Sequence, residues 1–250
     1  MSQNHEAPEL NVVLPVHNEA ESIAATLAEI HGELSPRVRI EFVISEDGSV
    51  DDTREILSNL ADTYPMQLIT SPARKGYSLA VCDAFKRCTA RWILFLDSDG
   101  QCLPSDYWAL QDKRDAGGFD VVMGRRVNRA DSAFRRVMSG TFAAGYQLLF
   151  RVPVKDPSCP FLLMKKEVAD AVVDELGVFR EGFWWEFVAR VHRKGYRIVD
   201  LPITHRVRAA GETKVYHLRK LPGIGFRHLT GLFVIWWQTR GGGVRKTPAR

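Results

Sequence analysis

The residues of this chain best suited to chemistry stand directly after runs of apolar residues. Trp92-Ile93-Leu94-Phe95-Leu96 leads into Asp97-Ser98-Asp99-Gly100-Gln101. In an extended segment, side chains at i and i+2 point the same way, so Asp97 and Asp99 offer paired oxygen ligands, and the Gln101 carbonyl can add another. Hard oxygen donors suit Mg2+ or Mn2+, ions that keep positions open for the phosphates of a substrate. Neither aspartate opens a strong helix, and unpaired neighbouring carboxylates at a buried strand end repel one another. A D-x-D triplet recurs by chance. One set after a long apolar run, with Gln two residues on, is far more specific.

Two other apolar runs end in a similar way. Leu10-Asn11-Val12-Val13-Leu14 is followed by Pro15-Val16-His17-Asn18-Glu19. Ile40 to Ile44 is followed by Ser45-Glu46-Asp47-Gly48-Ser49 and then Asp51-Asp52-Thr53. Structural roles exist for several of these residues. Pro15 can end a strand, Glu19 can sit in the first turn of a helix, and Asp47-Gly48 can form a turn. Asp52 suits the cap of the following helix and Asp51 its first turn.

A scaffold must bring these segments to one edge. Between the apolar runs lie helix-like stretches from Glu19 to about Leu34, Asp51 to Tyr64 and Gly76 to Cys88, with a further apolar run at Met66 to Ile69. Short runs that are apolar throughout, separated by helices, read as strands buried on both faces of a sheet. The alternation predicts an α/β fold, a doubly wound, mostly parallel sheet with right-handed crossovers and helices on both faces. Ligands in such sheets bind at the carboxyl ends of the strands, where the acids lie. After Asp120-Val121-Val122-Met123 the pattern changes, and Arg125, Arg126, Arg129, Arg135 and Arg136 crowd together. Helices are expected from Lys165 to Leu176 and from Gly182 to Lys194, and strands at Tyr196 to Val199 and Pro202 to Val207. A last helix carries the aromatic run Leu232 to Trp237.

Length and composition set outer bounds. A chain of 250 residues, 45% hydrophobic and 26% charged, suits one large domain with a short appendage and needs no disulfide to fold. Cys82, Cys88, Cys102 and Cys159 show no zinc-ligand spacing and read as free buried thiols. The first nine residues lack a signal-peptide pattern. No uncharged apolar stretch reaches the roughly 18 residues needed to cross a bilayer. The expected location is therefore cytoplasmic. Charge is uneven: from position 201 on, ten Lys/Arg face the single acid Glu212, whereas the first 200 residues hold 24 basic and 29 acidic residues. That basic end suits phosphates or an anionic membrane surface.

Several classes fail on specific grounds. There is no GxxxxGK[ST] for a P-loop, no GxGxxG after the first strand for a dinucleotide and no GxSxG elbow for a hydrolase. Aromatic residues are not interleaved with basic ones as in nucleic-acid binding.

The ordered set LPVHNE (14–19), SEDGSVDDT (45–53), ARKG (73–76) and DSDGQ (97–101) resembles the family 2 glycosyltransferases of GT-A fold. Within them it resembles the dolichyl- or polyprenyl-phosphate mannosyl- and glucosyltransferases. Gly124-Arg125-Arg126, Arg135 with Ser139, and Arg208-Ala-Ala-Gly211-Glu-Thr-Lys214 are similar to later elements of that branch. His17 stands where Tyr or Phe is frequent, Thr213 replaces a serine, and Pro160 a common glycine. The resemblance implies a GT-A domain over residues 1–210; the basic, aromatic segment over 211–250, with Trp236 and Trp237, suits either a helix at a membrane interface, which would place the protein on the cytoplasmic membrane face, or packing of those aromatics into the domain core. It implies that Pro15, Glu19, Asp47, Lys75 and Asp97 meet a GDP- or UDP-hexose donor. Asp97, Asp99 and Gln101 would hold Mg2+ or Mn2+, and Arg126, Arg135, Ser139, Arg208 and Lys214 would bind the phosphate of a polyprenyl phosphate acceptor.

The implied reaction is displacement at the anomeric carbon with inversion. A phosphate monoester is largely anionic at neutral pH and needs cations more than a base. A hydroxyl acceptor would need a carboxylate to take its proton, for which Glu186 is the candidate, although Glu186 can also serve to orient a helix. Two alternatives stand beside the lead. One is a soluble relative acting on a sugar, peptide or metabolite hydroxyl, and the other an inactive nucleotide-binding regulator.

Overall fold

The computed structural model describes residues 7–127, 133–179, 182–206 and 221–240, with backbone alone for 133–141 and 221–229. Seven strands form one sheet: β1 (Leu10–Val16), β2 (Ile40–Glu46), β3 (Met66–Thr70), β4 (Trp92–Leu96), β5 (Val121–Arg126), β6 (Phe161–Lys165) and β7 (Ile198–Ile203). Their order is β3-β2-β1-β4-β6-β5-β7. β1, β2, β3 and β4 pair in parallel, β5 pairs in parallel with β7, and β6 runs antiparallel to both its neighbours. The sheet is thus mostly parallel, as the alternation predicts.

Helices α1 (Ile23–Leu34), α2 (Thr53–Leu60) and α4 (Tyr107–Gly117) supply one face of the core. Helices α3 (Tyr77–Arg87), α5 (Ala133–Phe150), α6 (Lys166–Val172), α7 (Phe183–Arg193) and α8 (Leu221–Thr239) supply the other. The strands divide their side chains by alternation. In β4, Ile93 and Phe95 join the second group of helices while Leu94 and Leu96 join the first. A strand covered on both faces must be apolar at every position, which explains why Trp92 to Leu96 contains no polar residue. α1 buries Ile23, Leu27, Ile30 and Leu34, a stripe at helical spacing.

The second half departs from the expected elements in two places. Phe161–Lys165, not anticipated as a strand, is inserted antiparallel between β4 and β5. The two short strands expected around residue 200 are one strand, β7, with Pro202 inside it and paired with Arg125. β7 is the last strand of the sheet, and an edge tolerates a missing N–H. All four cysteines are free and buried. Among the described residues no helix is long and apolar enough to cross a membrane.

Candidate active site

A cleft opens at the carboxyl ends of β1, β2 and β4, lined by Pro15, Val16, His17, Glu19, Asp47, Arg74, Tyr77, Ala80, Asp97, Ser98 and Asp99. The sheet register makes this meeting place. Val13 pairs with Phe95, and Pro15 with Ser45, so the three acidic strand ends emerge side by side.

The β2 end is braced from within. Glu46 is fully buried, accepts the Arg54 Nε–H at 2.9 Å and takes the Ser49 backbone N–H. Asp47, 3% exposed, accepts the backbone N–H groups of Lys75 at 2.7 Å and Gly76 at 2.9 Å on its two oxygens. This carboxylate therefore orders the loop that enters α3. Gly48 makes the approach possible: its φ is +64°, and a Cβ there would lie 2.4 Å from the Ala73 carbonyl carbon. The Asp47 carbonyl lies 2.9 Å from His17 Nδ1. A carbonyl only accepts, so Nδ1 carries a proton, and in the neutral ring Nε2 is left as an acceptor.

The β1 end is tied to the turn before α2. Asn18, at φ +54°, accepts the Val50 N–H at 2.9 Å. The Glu19 N–H donates to Thr53 Oγ1 at 2.9 Å, and Ser22 Oγ donates to Glu19 Oε2 at 2.8 Å. Asp52 makes no side-chain cap for α2. Asp51 takes that role by accepting the Thr53 N–H at 3.1 Å. Slight desolvation raises the Asp51 carboxyl, but hydrogen bonds from Thr53 and Ala20 outweigh it and hold the group below its ordinary value.

At the β4 end, burial and the Asp99 charge raise the Asp97 carboxyl to about 7, against smaller opposing effects of the Tyr77 hydroxyl and Arg126. Asp99 Oδ1 accepts the Gln101 N–H at 3.1 Å. The Gln101 amide nitrogen donates to the Arg206 carbonyl at 3.2 Å, and the Arg206 N–H returns to the Gln101 carbonyl at 2.8 Å. Gln101 thus ties the aspartate turn to the chain beyond β7. Asp97 and Asp99 could hold a divalent cation as two oxygen ligands, and no group of three or more His, Cys, Asp or Glu side chains could do so among the described residues. Two protein carboxylates suit an ion completed by water and phosphate.

Pro15, Glu19, Asp47, Asp97 and Asp99 are brought together as expected from their spacing, while others lie elsewhere. Lys75 contributes its backbone N–H to Asp47, but its ammonium pairs with Asp83; its neighbour Arg74 lines the cleft instead. Glu186 is 0% exposed and spends its oxygens on the Arg190 guanidinium at 2.8 and 2.9 Å and on the N–H groups of Gly177 and Phe179. It orients the start of α7 and does not line the cleft. Arg126 is held bidentately by Asp156 at 2.8 and 2.9 Å and donates to Ser158 at 2.7 Å. Burial works against its charge, and the Asp156 carboxylate outweighs that effect. Arg208 and Lys214 lie outside the described residues, as do the side chains of Arg135 and Ser139. Arg74, His17 and Tyr77 were given no site role from the sequence. Arg74 stood in the ARKG segment and His17 in LPVHNE, so both were within reach of it.

With this geometry in place, the comparisons decide the family. Residues 11–173 match the sequence profile of glycosyl transferase family 2. The chain belongs to that family. Its family 2 relatives include glycosyltransferase AglD of Haloferax volcanii, 27% identical over 92% of this chain and 37% of that protein. A dolichol-phosphate mannosyltransferase of Pyrococcus furiosus is 28% identical over 82% of this chain and 59% of its own length. An undecaprenyl-phosphate 4-deoxy-4-formamido-L-arabinose transferase of Klebsiella pneumoniae is 27% identical over 84% and 63%. The chain thus spans between about a third and two thirds of these relatives. In fold it is similar to the mannosyltransferase PcManGT of Pyrobaculum calidifontis, solved with GDP-Man and Mn2+, at a TM-score of 0.64, 19% identity and coverage of 96% and 66%. Glucosyl-3-phosphoglycerate synthase of Mycobacterium tuberculosis, solved with Mn2+, UDP and phosphoglyceric acid, gives 0.65, 19%, and 96% and 80%. The sheet and its flanking helices are those of the GT-A fold.

Proposed function

We propose that this family 2 protein is an inverting, metal-dependent glycosyltransferase that moves a hexose from a nucleotide diphosphate sugar to polyprenyl phosphate. The observation that carries the donor half is the Asp97/Asp99 pair, set in one cleft with Glu19 and Asp47 at the carboxyl ends of parallel strands. Burial and the neighbouring Asp99 charge together raise the Asp97 carboxyl. A divalent cation suits that donor set and, when bound, would neutralise charge on the departing diphosphate. The chain's own part is positional. Asp47 holds the Arg74–Gly76 loop, His17 offers Nε2 as an acceptor to a base N–H, and Arg74 brings a guanidinium to the cleft. The cavity holds about 180 Å³, below the roughly 300–1,000 Å³ of a site that encloses a whole small molecule, so these residues would seat part of the donor.

The acceptor half has three supports. The carboxylate considered as base for a hydroxyl acceptor, Glu186, is fully committed to Arg190 and two backbone amides. A lipid phosphate needs no such base, because its second pKa is about 6. Relatives named for dolichol-phosphate and undecaprenyl-phosphate transfer point the same way. α8 presents Phe233 and Trp237, 58% and 64% exposed, with the Arg240 guanidinium 4.2 Å from the Trp236 ring centroid. Aromatic rings beside a cation suit a peripheral contact with anionic lipid.

The test is nucleoside diphosphate release from GDP- and UDP-hexoses with Mg2+ or Mn2+, with and without polyprenyl phosphate. Release that depends on the lipid is expected. Equal release with a simple sugar alcohol would move the protein to hydroxyl acceptors, and tight nucleotide binding without turnover would make it a regulator.

A further inference from the structure

Behind the aspartate pair lies a hydrogen-bonded chain that joins two distant helices. The Tyr77 hydroxyl, on α3, donates to Asp97 Oδ1 at 2.8 Å. Trp184 Nε1, in the first turn of α7, donates to the same hydroxyl at 2.8 Å across a separation of 107 residues. An indole N–H can only donate. The tyrosine oxygen must therefore accept from it, and its own proton is turned toward the carboxylate. The polarity of the chain is fixed by chemistry.

The far end of the chain is also fixed in space. The Trp184 ring packs edge-on to Phe95 at 4.4 Å and Phe187 at 5.3 Å, and against Phe183 at 5.0 Å. α7 is itself anchored by Glu186, which binds Arg190 and the N–H groups of Gly177 and Phe179. A rigid donor thus holds one oxygen of Asp97.

We propose that Tyr77 and Trp184 are positioning residues for Asp97, holding its carboxylate in the single orientation from which the other oxygen meets a divalent cation. The proposal rests on the assignment of Asp97 and Asp99 as cation ligands. Partners that orient a ligand from behind commonly govern metal affinity by about 10–100-fold, and here they link the cation site to α7.

The test is Mn2+ titration of the donor-free protein, followed by the electron paramagnetic resonance signal of free Mn2+, in parent, Tyr77→Phe, Trp184→Phe and the double variant. Thermal melting of the metal-free proteins is recorded alongside. Tyr77→Phe keeps the ring and deletes the hydroxyl, so its Mn2+ dissociation constant should rise by about 10–100-fold while it melts with the parent. Trp184→Phe leaves Tyr77 and Asp97 in place and should shift affinity in the same direction by less. The double variant should bind Mn2+ no more weakly than Tyr77→Phe, because the two groups act in series. Parent-like Mn2+ affinity in both single variants overturns the proposal, as do additive losses in the double variant. A parent protein that binds no Mn2+ overturns the cation assignment itself, an outcome distinct from either.

Discussion

Asp47 and Asp97 are the same residue type at the ends of β2 and β4, the two strands that flank β1, yet they face opposite environments. Asp47 is met by two backbone N–H groups, whereas Asp97 meets burial and the charge of Asp99. The sign of the consequence follows directly. Asp97 binds its proton more tightly in the folded chain than the ordinary value of 3.8 allows, so between about 4 and about 7 the folded state holds more protons. Metal-free protein should therefore lose stability as pH rises through that window. Asp97→Asn should flatten the loss, and Mn2+ should restore the parent at pH 8; melting curves with EDTA and with Mn2+ read both. Asp99→Ala removes the other half of the pair and should lower turnover by at least about a hundredfold. Unchanged nucleoside diphosphate release in that variant would remove the assignment.

At the scale of elements, two joints hold the site. The first is the β2–α3 junction, where Gly48 lies against the Ala73 backbone in the left-handed region. Gly48→Ala should cost about 1–3 kcal/mol and weaken donor binding, because the 73–76 loop must move; urea unfolding and nucleotide titration test it together. The second is the start of α7. Glu186→Gln leaves Arg190 buried with its strongest partner gone and should cost about 3 kcal/mol. Its effect should appear in the unfolding midpoint, with no lost limb in the pH–rate profile. A lost low-pH limb would return Glu186 to the role of proton acceptor.

For the whole molecule, charge and exposure divide the surface. The cleft is acidic and faces one edge of the sheet, while the basic excess belongs to the last fifty residues. α8 has two sides: Leu232 and Ile235 are buried in the main core while Phe233 and Trp237 face outward. The helix is thus part of the domain through one side, and among the described residues Phe233 and Trp237 are exposed on the other. Trp237→Ser should weaken flotation with anionic vesicles by about tenfold, the effect of withdrawing one large aromatic side chain from a lipid interface. Raised salt should weaken the parent as well. Vesicle binding that ignores both changes would separate the protein from the membrane.

The parallel strands, their acidic ends and the aspartate pair were legible in the sequence, because each is written in local spacing: apolar runs of strand length, punctuated by turn residues and acids. The basic, aromatic end was legible as composition. Tertiary structure alone decided what each charge does. Phe161–Lys165 reads as one more short apolar run, and only its pairing with β4 and β5 makes it an antiparallel strand. Arg126 reads as a phosphate-binding cation and Glu186 as a base until Asp156, 30 residues on from Arg126, and the folded 177–190 region pair with them. Arg74 lines the cleft, whereas the Lys75 ammonium pairs with Asp83 on α3. The tie from Trp184 through Tyr77 to Asp97 leaves no local trace at all. Side-chain partners brought together by packing across a sheet have no fixed spacing in the chain, so a sequence can name the groups without saying which of them are already spent.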